Sequence, residues 1–233
     1  MKVHPILFSG PMIRALLEGR KTMTRRVAKL LLPGDKDYIN ADTHEEWITK
    51  RAMQCPYGQA RNLLWVRETF CPIDDRPFGG VQWIDYRATP KYEDCHPAGW
   101  ENAPDDPEAL KWKPSIFMPR TASRLTLELT GVRVERLSDL TDADAVAEGL
   151  AAVTKDGTLF KYGIPDRDGL PGTDNYGWPW DEWSVSPRGA YFRLWDKLNG
   201  PLACADNPWI WALSFTVHQV NIDAFIKSRE IAA

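Results

Sequence analysis

Leu125-Thr126-Leu127-Glu128-Leu129-Thr130-Gly131-Val132-Arg133-Val134 alternates apolar and polar residues with a period of two, as a strand with one buried face does. The phase slips by one at Gly131, because Leu125, Leu127 and Leu129 are followed by Val132 and Val134. A lone Gly at such a slip marks a bulge or a sharp bend. Long bent strands close small barrels. The stretch therefore predicts an α+β domain built on a small β-barrel, with short helices flanking it.

Working outward, Arg120, Arg124, Arg133 and Arg136 flank this strand, where they either extend a basic surface or decorate the solvent face. Thr141 followed by Asp144 reads as an N-cap with a variant capping box, and Gly149 as the stop of the short helix it opens. Residues 190–198 predict a helix with Phe192, Trp195 and Leu198 inward, and residues 209–217 a strand with five large apolar residues on one face. The tail after Ile222 is expected to fray. Toward the N-terminus, residues 5–8 (Pro-Ile-Leu-Phe) fit a buried strand. Met12, Ile13, Leu16 and Leu17 then recur at helical spacing, with Gly19 as the stop. Residues 29–59 are turn-rich and carry one strand around Trp47.

Residues 63–70 read as a strand with Leu64, Val66, Glu68 and Phe70 on one face. Glu68 is the sole ionisable group on that face. It either pairs with a cation or has its pKa raised by desolvation, and both are met in structural ion pairs as well as in working sites. Two loop-rich insertions interrupt the domain, at about residues 71–113 and 151–187. Trp83, Trp100 and Trp112 in the first are either packing residues, the commoner role, or a lid or stacking platform, and Tyr176, Trp178, Trp180 and Trp183 crowd the end of the second.

The chain has 233 residues and a formal net charge of −3, enough for one elaborated domain, residues 1–233, and too acidic to hold long nucleic acid by bulk electrostatics. The charge is uneven. Seven Lys or Arg against one Glu give residues 1–30 a charge of +6, against −9 for the remainder, so an anionic partner is expected at the N-terminal segment. Apolar runs fall far short of the roughly 20 residues of a membrane span, and no signal-peptide pattern opens the chain; the reading is no membrane and a cytoplasmic location. Cys55, Cys71, Cys95 and Cys204 form no Cys-x-x-Cys pair, and Cys95-His96 is a thin hint of metal beside reduced, structural cysteines. No metal site and no cofactor are expected. His4, His44, His96 and His218 are scattered, which leaves ribonuclease chemistry without a His pair.

Gly19-Arg20-Lys21-Thr22-Met23-Thr24-Arg25-Arg26 packs four cations and two hydroxyls into eight residues after the first helix. Such a run is commonly a solvated basic turn. A Lys and a Thr three apart, with a Gly to turn the backbone and Arg to hold an anion, also supply the parts of an anion or nucleobase site. Gly19-x-Lys21-x-x-Thr24-x-Arg26 resembles the signature of the ASCH domain, a PUA-like barrel associated with RNA. Further blocks are similar to the longer ASCH proteins of bacteriophages and prophages: Leu64-Trp65-Val66-Arg67-Glu68, Met118-Pro119-Arg120, Leu194-Trp195-Asp196 and Asn207-Pro208-Trp209. Thr121 departs from the aromatic residue expected there.

The Thr form of the signature resembles small amidohydrolases that deacetylate N4-acetylcytidine. That resemblance implies Lys21, Thr24 and Glu68 as the catalytic trio, with Gly19, Arg25, Arg26, Arg67 and Arg120 toward the substrate. The expected reaction is removal of an acyl group from an N4-acylated cytosine, as nucleoside or within nucleic acid. Lys21 would take the proton of Thr24 and Glu68 would donate to the leaving amine; alternatively Glu68 activates water while Lys21 and Thr24 bind the oxyanion. The alternative from another class is a non-catalytic module that binds RNA or a modified nucleobase in the same cleft.

Overall fold

The computed structural model describes residues 2–28, 46, 50–74, 76, 80–91, 111–174 and 176–231. Its principal elements in chain order are β1 (Val3–Leu7), α1 (Gly10–Leu17), β2 (Met23–Val27), β3 (Leu63–Arg67), β4 (Phe70–Asp74), β5 (Gln82–Tyr86), β6 (Thr126–Arg136), α2 (Asp142–Ala147), β7 (Ala151–Thr154), β8 (Phe160–Gly163), α3 (Pro187–Asn199), β9 (Trp209–His218) and α4 (Ile222–Ile231). The class is α+β. Five strands form the main sheet in the order β1-β3-β6-β9-β2, and β4-β5 and β7-β8 are separate hairpins. β1 runs parallel to β3, and the other pairs of the main sheet are antiparallel.

The alternation in β6 survives in three dimensions. Leu125, Leu127 and Leu129 are buried, and the register against β9 shifts between Leu129 and Gly131, where the phase slips in the sequence. The small closed barrel expected above is not formed: among the described residues the sheet stays open. β1 and β2 are the edges of the sheet, and among the described residues no ladder joins them. A side chain spans the gap instead: Arg26 of β2 donates to the Leu7 carbonyl of β1 at 2.7 Å, with its guanidinium 5.1 Å from the Phe8 ring. A single Arg-to-carbonyl bond satisfies one edge acceptor, whereas a ladder would satisfy a row of them.

One core joins the inner faces of β1, β3, β6 and β9 to α1, α2 and α3. α1 starts after Ser9 with Pro11 in its first turn, and it stops where Gly19 turns into the left-handed region at φ 75°. The Thr141 hydroxyl accepts from the Asp144 N–H at 3.1 Å, so the N-cap of α2 is as expected. α3 turns a slightly different face inward from the one its sequence suggested. Tyr191, Leu194 and Trp195 are buried, Phe192 is half-buried and Leu198 is exposed.

Three further expectations change. The tail does not fray: residues 222–231 form α4, whose Arg229 clasps both carboxylate oxygens of Glu128 at 2.9 and 3.1 Å. Asn221 pins the start of α4, accepting from Asp223 N–H and donating to the Arg120 and Ser123 carbonyls. The insertion at about 71–113 contains the β4–β5 hairpin, and that at about 151–187 contains the β7–β8 hairpin. The strand expected around Trp47 and the Cys95-His96 pair, like His44 and Trp100, lie outside the described residues. Among the described residues, no helix is long and apolar enough to cross a membrane.

Candidate functional site

The basic turn and the C-terminal end of α2 are stitched together by backbone. Lys21 N–H donates to the Ala15 carbonyl at 3.0 Å and Thr22 N–H to the Ala147 carbonyl at 2.9 Å, and Lys21 and Glu148 form an isolated β-bridge. Gly149 makes the close approach possible. It sits at φ 102°, and a Cβ there would lie 2.9 Å from the Ala15 Cβ and 3.1 Å from the Lys21 Cβ. The glycine that stops α2 thus also admits Lys21.

Lys21 is 1% exposed, and its ammonium donates to the Glu148 carbonyl at 2.7 Å and to Glu148 Oε2 at 2.8 Å. The other carboxylate oxygen of Glu148 accepts from Arg25 Nη1 at 3.3 Å and from the Tyr191 hydroxyl at 3.4 Å. Arg25 Nη2 reaches Glu135 and Asp144, both at 2.8 Å. Two buried cations thus meet three carboxylates, two of which, Glu135 and Asp144, also pair with the more exposed Arg133. A buried charge is tolerable only with such partners.

Burial pushes the Lys21 amine below its ordinary value of 10.5; Glu148 opposes that shift, and the nearby Arg26 and Arg25 add to it. Burial holds the Tyr191 hydroxyl well above its ordinary range, with Glu148 adding to the effect, so Tyr191 remains a donor. Lys21, Thr24, Arg25, Arg26, Glu148 and Tyr191 all line one cavity of about 270 Å³, walled on its apolar side by residues that include Phe8, Leu194 and Trp195. That volume lies just below the usual span for drug-sized ligands and suits a smaller one.

The remaining sequence candidates lie elsewhere. Glu68 does not line this cavity. Both its oxygens accept from Arg124, Oε1 from Nε and Oε2 from Nη2, each at 2.8 Å, while the Arg124 guanidinium stacks 4.0 Å from the Tyr86 ring. Of the two outcomes open for Glu68 in the sequence, the structure has both: it pairs with a cation, and burial raises its pKa from 4.5 although Arg124 opposes the rise. The reason for its position is local. β3 ends at Arg67, and Glu68 falls in the corner before β4, where its side chain meets Arg124 just ahead of β6. Arg67 stacks on Trp65 and donates to the Ile116 and Met118 carbonyls, and Arg120 pairs with Asp223. Gly19 shapes the turn and has open space beside it.

The structure therefore brings together Lys21, Thr24, Arg25 and Arg26, and sets Glu68, Arg67 and Arg120 apart from them. Glu148 and Tyr191 were not singled out in the sequence. The available signals were an acid directly ahead of the helix-stopping Gly149, and a hydroxyl-bearing ring three and four residues before Leu194 and Trp195 in α3.

A basic amine, a hydroxyl and a carboxylate around one small cavity suit either proton transfer coupled to nucleophilic attack or tight recognition of a polar planar ligand. No protein-family model matches the chain, and no curated protein or solved structure does either.

Proposed function

We propose that this protein is an ASCH-type amidohydrolase that removes the acyl group from an N4-acylated cytosine, with Glu148 as the carboxylate of the site in place of Glu68. The observation that supports this most is the desolvated Lys21 amine, held by Glu148 and lining the same cavity as Thr24. The reading also draws on the resemblance of Gly19-x-Lys21-x-x-Thr24-x-Arg26 to the ASCH signature. With it go the PUA-like description of the fold, a modified nucleoside or RNA as partner, a phage or prophage origin and a cytoplasmic setting.

In the proposed sequence of steps, Lys21, once its ammonium has given a proton to solvent, takes the Thr24 hydroxyl proton as Thr24 Oγ1 bonds to the amide carbon. Arg26, which lines the same cavity, faces the charge that develops on the carbonyl oxygen. The C–N4 bond breaks as Lys21 returns the proton to N4, releasing the cytosine amine and leaving acyl-Thr24. A water then gives a proton to Lys21 and its oxygen bonds to the acyl carbon. Cleavage of the C–Oγ1 bond, with that proton restored to Thr24, frees the carboxylic acid, which loses its proton to solvent. Glu148 orients the Lys21 amine throughout and limits how far burial lowers its pKa.

Incubation with N4-acetylcytidine, following release of cytidine, tests the proposal beside Lys21→Met, Thr24→Ala and Glu148→Gln. Turnover by the parent protein that is lost in Lys21→Met and Thr24→Ala is the expected result. An inactive parent protein, or an active Thr24→Ala variant, overturns it. One observation favours a second reading, a module that binds RNA or a modified nucleobase without turnover: the Lys21 ammonium is already engaged by two acceptors of Glu148. Binding of N4-acetylcytidine without cytidine release is the outcome that selects this reading.

A further inference from the structure

A second cavity, of about 380 Å³, adjoins the first, with Met12, Leu194 and Leu198 in the walls of both. Its character differs. Four cations, Arg14, Arg87, Arg167 and Lys197, face it together with Tyr176 and Trp178, and among the described residues no carboxylate is on its wall. Glu182 pairs with Lys197, and the charge of Asp166 acts on Arg14. Arg14 is itself buried and donates to the Pro165 carbonyl at 3.4 Å.

The cations are braced by rings. Arg87 donates to the Tyr176 hydroxyl at 2.5 Å with its guanidinium 5.5 Å from that ring, and the Lys197 amine lies 5.1 Å from the Trp178 ring. The first turn of α1 contributes Ser9 and Gly10 to the same wall, and the Ser9 side chain makes no capping bond there. A concave surface that carries four cations and two aromatic rings suits a phosphate carried on a nucleoside, because Arg binds phosphate oxygens with directed, charge-assisted bonds.

We infer that this second cavity holds the phosphate of a nucleotide whose base occupies the Lys21 cavity, so that a phosphorylated substrate is preferred to the free nucleoside. The inference rests on the proposed nucleobase reading for the position of the base. It also gives the insertions a role. Arg87 comes from the first, and Arg167, Tyr176 and Trp178 from the second.

Calorimetric titration of the full chain with cytidine, cytidine 5′-monophosphate, inorganic phosphate and a cytidine trinucleotide tests it. The monophosphate is expected to bind at least about tenfold tighter than cytidine. The double substitution Arg87→Gln with Arg167→Gln should erase that advantage and leave cytidine affinity unchanged. The advantage should also shrink as salt rises, because it is electrostatic. A trinucleotide that matches the monophosphate assigns the cavity to strand phosphates; one that binds more weakly assigns it to a terminal phosphate, and either supports the inference. Equal affinity for cytidine and its monophosphate, or an advantage that survives the double substitution, overturns it. Failure of the hydrolase reading is seen separately, as absence of cytidine release from N4-acetylcytidine. Phosphate bound in an Arg87- and Arg167-dependent way without any cytidine binding keeps the anion site and overturns the nucleotide.

Discussion

Two buried carboxylates, Glu148 and Glu68, are 3% and 2% exposed, and they have opposite surroundings. Glu68 is saturated by one guanidinium in a two-pronged pair, and it lines neither cavity described above. Glu148 divides its oxygens among Lys21, Arg25 and Tyr191, and it lines a cavity beside Thr24. The comparison teaches that burial alone does not set a carboxylate at a cavity. Access to a ligand and a partner able to exchange a proton are separate conditions, and of the two acids Glu148 has both. Arg124 can only hold its carboxylate, because a guanidinium does not release a proton in proteins. Lys21 can release one, and burial lowers the cost of doing so.

The largest effect expected from this contrast is on turnover. Lys21→Met should lower kcat/KM for N4-acetylcytidine by roughly 10²- to 10⁴-fold, the usual worth of a positioned acid–base group. Glu68→Gln, assayed on the folded fraction, should stay within about tenfold of the parent, short of that loss. A reversed ranking would move the chemistry to Glu68 and dissolve the comparison.

The next effect is on stability and should rank the other way. Arg124→Ala leaves the Glu68 carboxylate buried without its cation, which typically costs about 3 to 5 kcal/mol. Urea unfolding measures it. A loss below about 1 kcal/mol would mean that the pair behaves like an exposed one and that the corner after β3 opens readily to water.

How much of this was legible in the sequence depends on the range of the interaction. The slip at Gly131, the N-cap Thr141 and the stops at Gly19 and Gly149 are local, and each sits in the structure where the sequence puts it. The partner of Lys21 was not legible, because Glu148 is 127 positions away and approaches through a backbone bridge that no periodicity announces. Glu68 was legible as a buried acid with a pairing cation among its possible fates. Its assignment to Lys21 drew on resemblance, and the corner between β3 and β4 directs it to Arg124 instead. The open sheet among the described residues, where a barrel was expected, has a related reason. A bend in one strand is local, but whether two edges meet depends on what lies between them, here the Arg26 side chain. The order of α4 was missed because its sequence is only weakly amphipathic, whereas its docking is by ion pairs to Glu128 and Arg120.

A smaller and more local test concerns how Lys21 is admitted. Gly149→Ala must hold a side chain at φ 102° and push against Ala15 and Lys21, so about 1 to 3 kcal/mol of stability should be lost. Turnover should fall as well, because the displaced neighbour is Lys21 itself. Gly19→Ala is strained by its φ of 75° but meets nothing within 4 Å, so it should lose stability without a comparable loss of turnover. Equal effects of the two substitutions on turnover would remove the link between Gly149 and the Lys21 amine.

The smallest effects, and the ones that separate the two clusters by sign, are in the pH dependence of stability. Lys21 has its pKa lowered from 10.5, so between its folded value and 10.5 the unfolded chain holds more protons than the folded one. Its contribution to stability is therefore fully present above 10.5 and is lost as pH falls through that window. Glu68 has its pKa raised from 4.5, so between 4.5 and the folded value the folded chain holds the extra proton. Its contribution is present below 4.5 and is lost as pH rises through the folded value. Subtracting the stability of Lys21→Met from that of the parent should leave a difference that climbs with pH below 10.5. Subtracting that of Glu68→Gln should leave one that falls with pH above 4.5. Neither slope can exceed about 1.4 kcal/mol per pH unit, the limit for one proton. A falling difference for Lys21 would mean that Glu148 outweighs burial and holds the amine charged, which would take away the neutral base while leaving the cavity fit for binding a ligand.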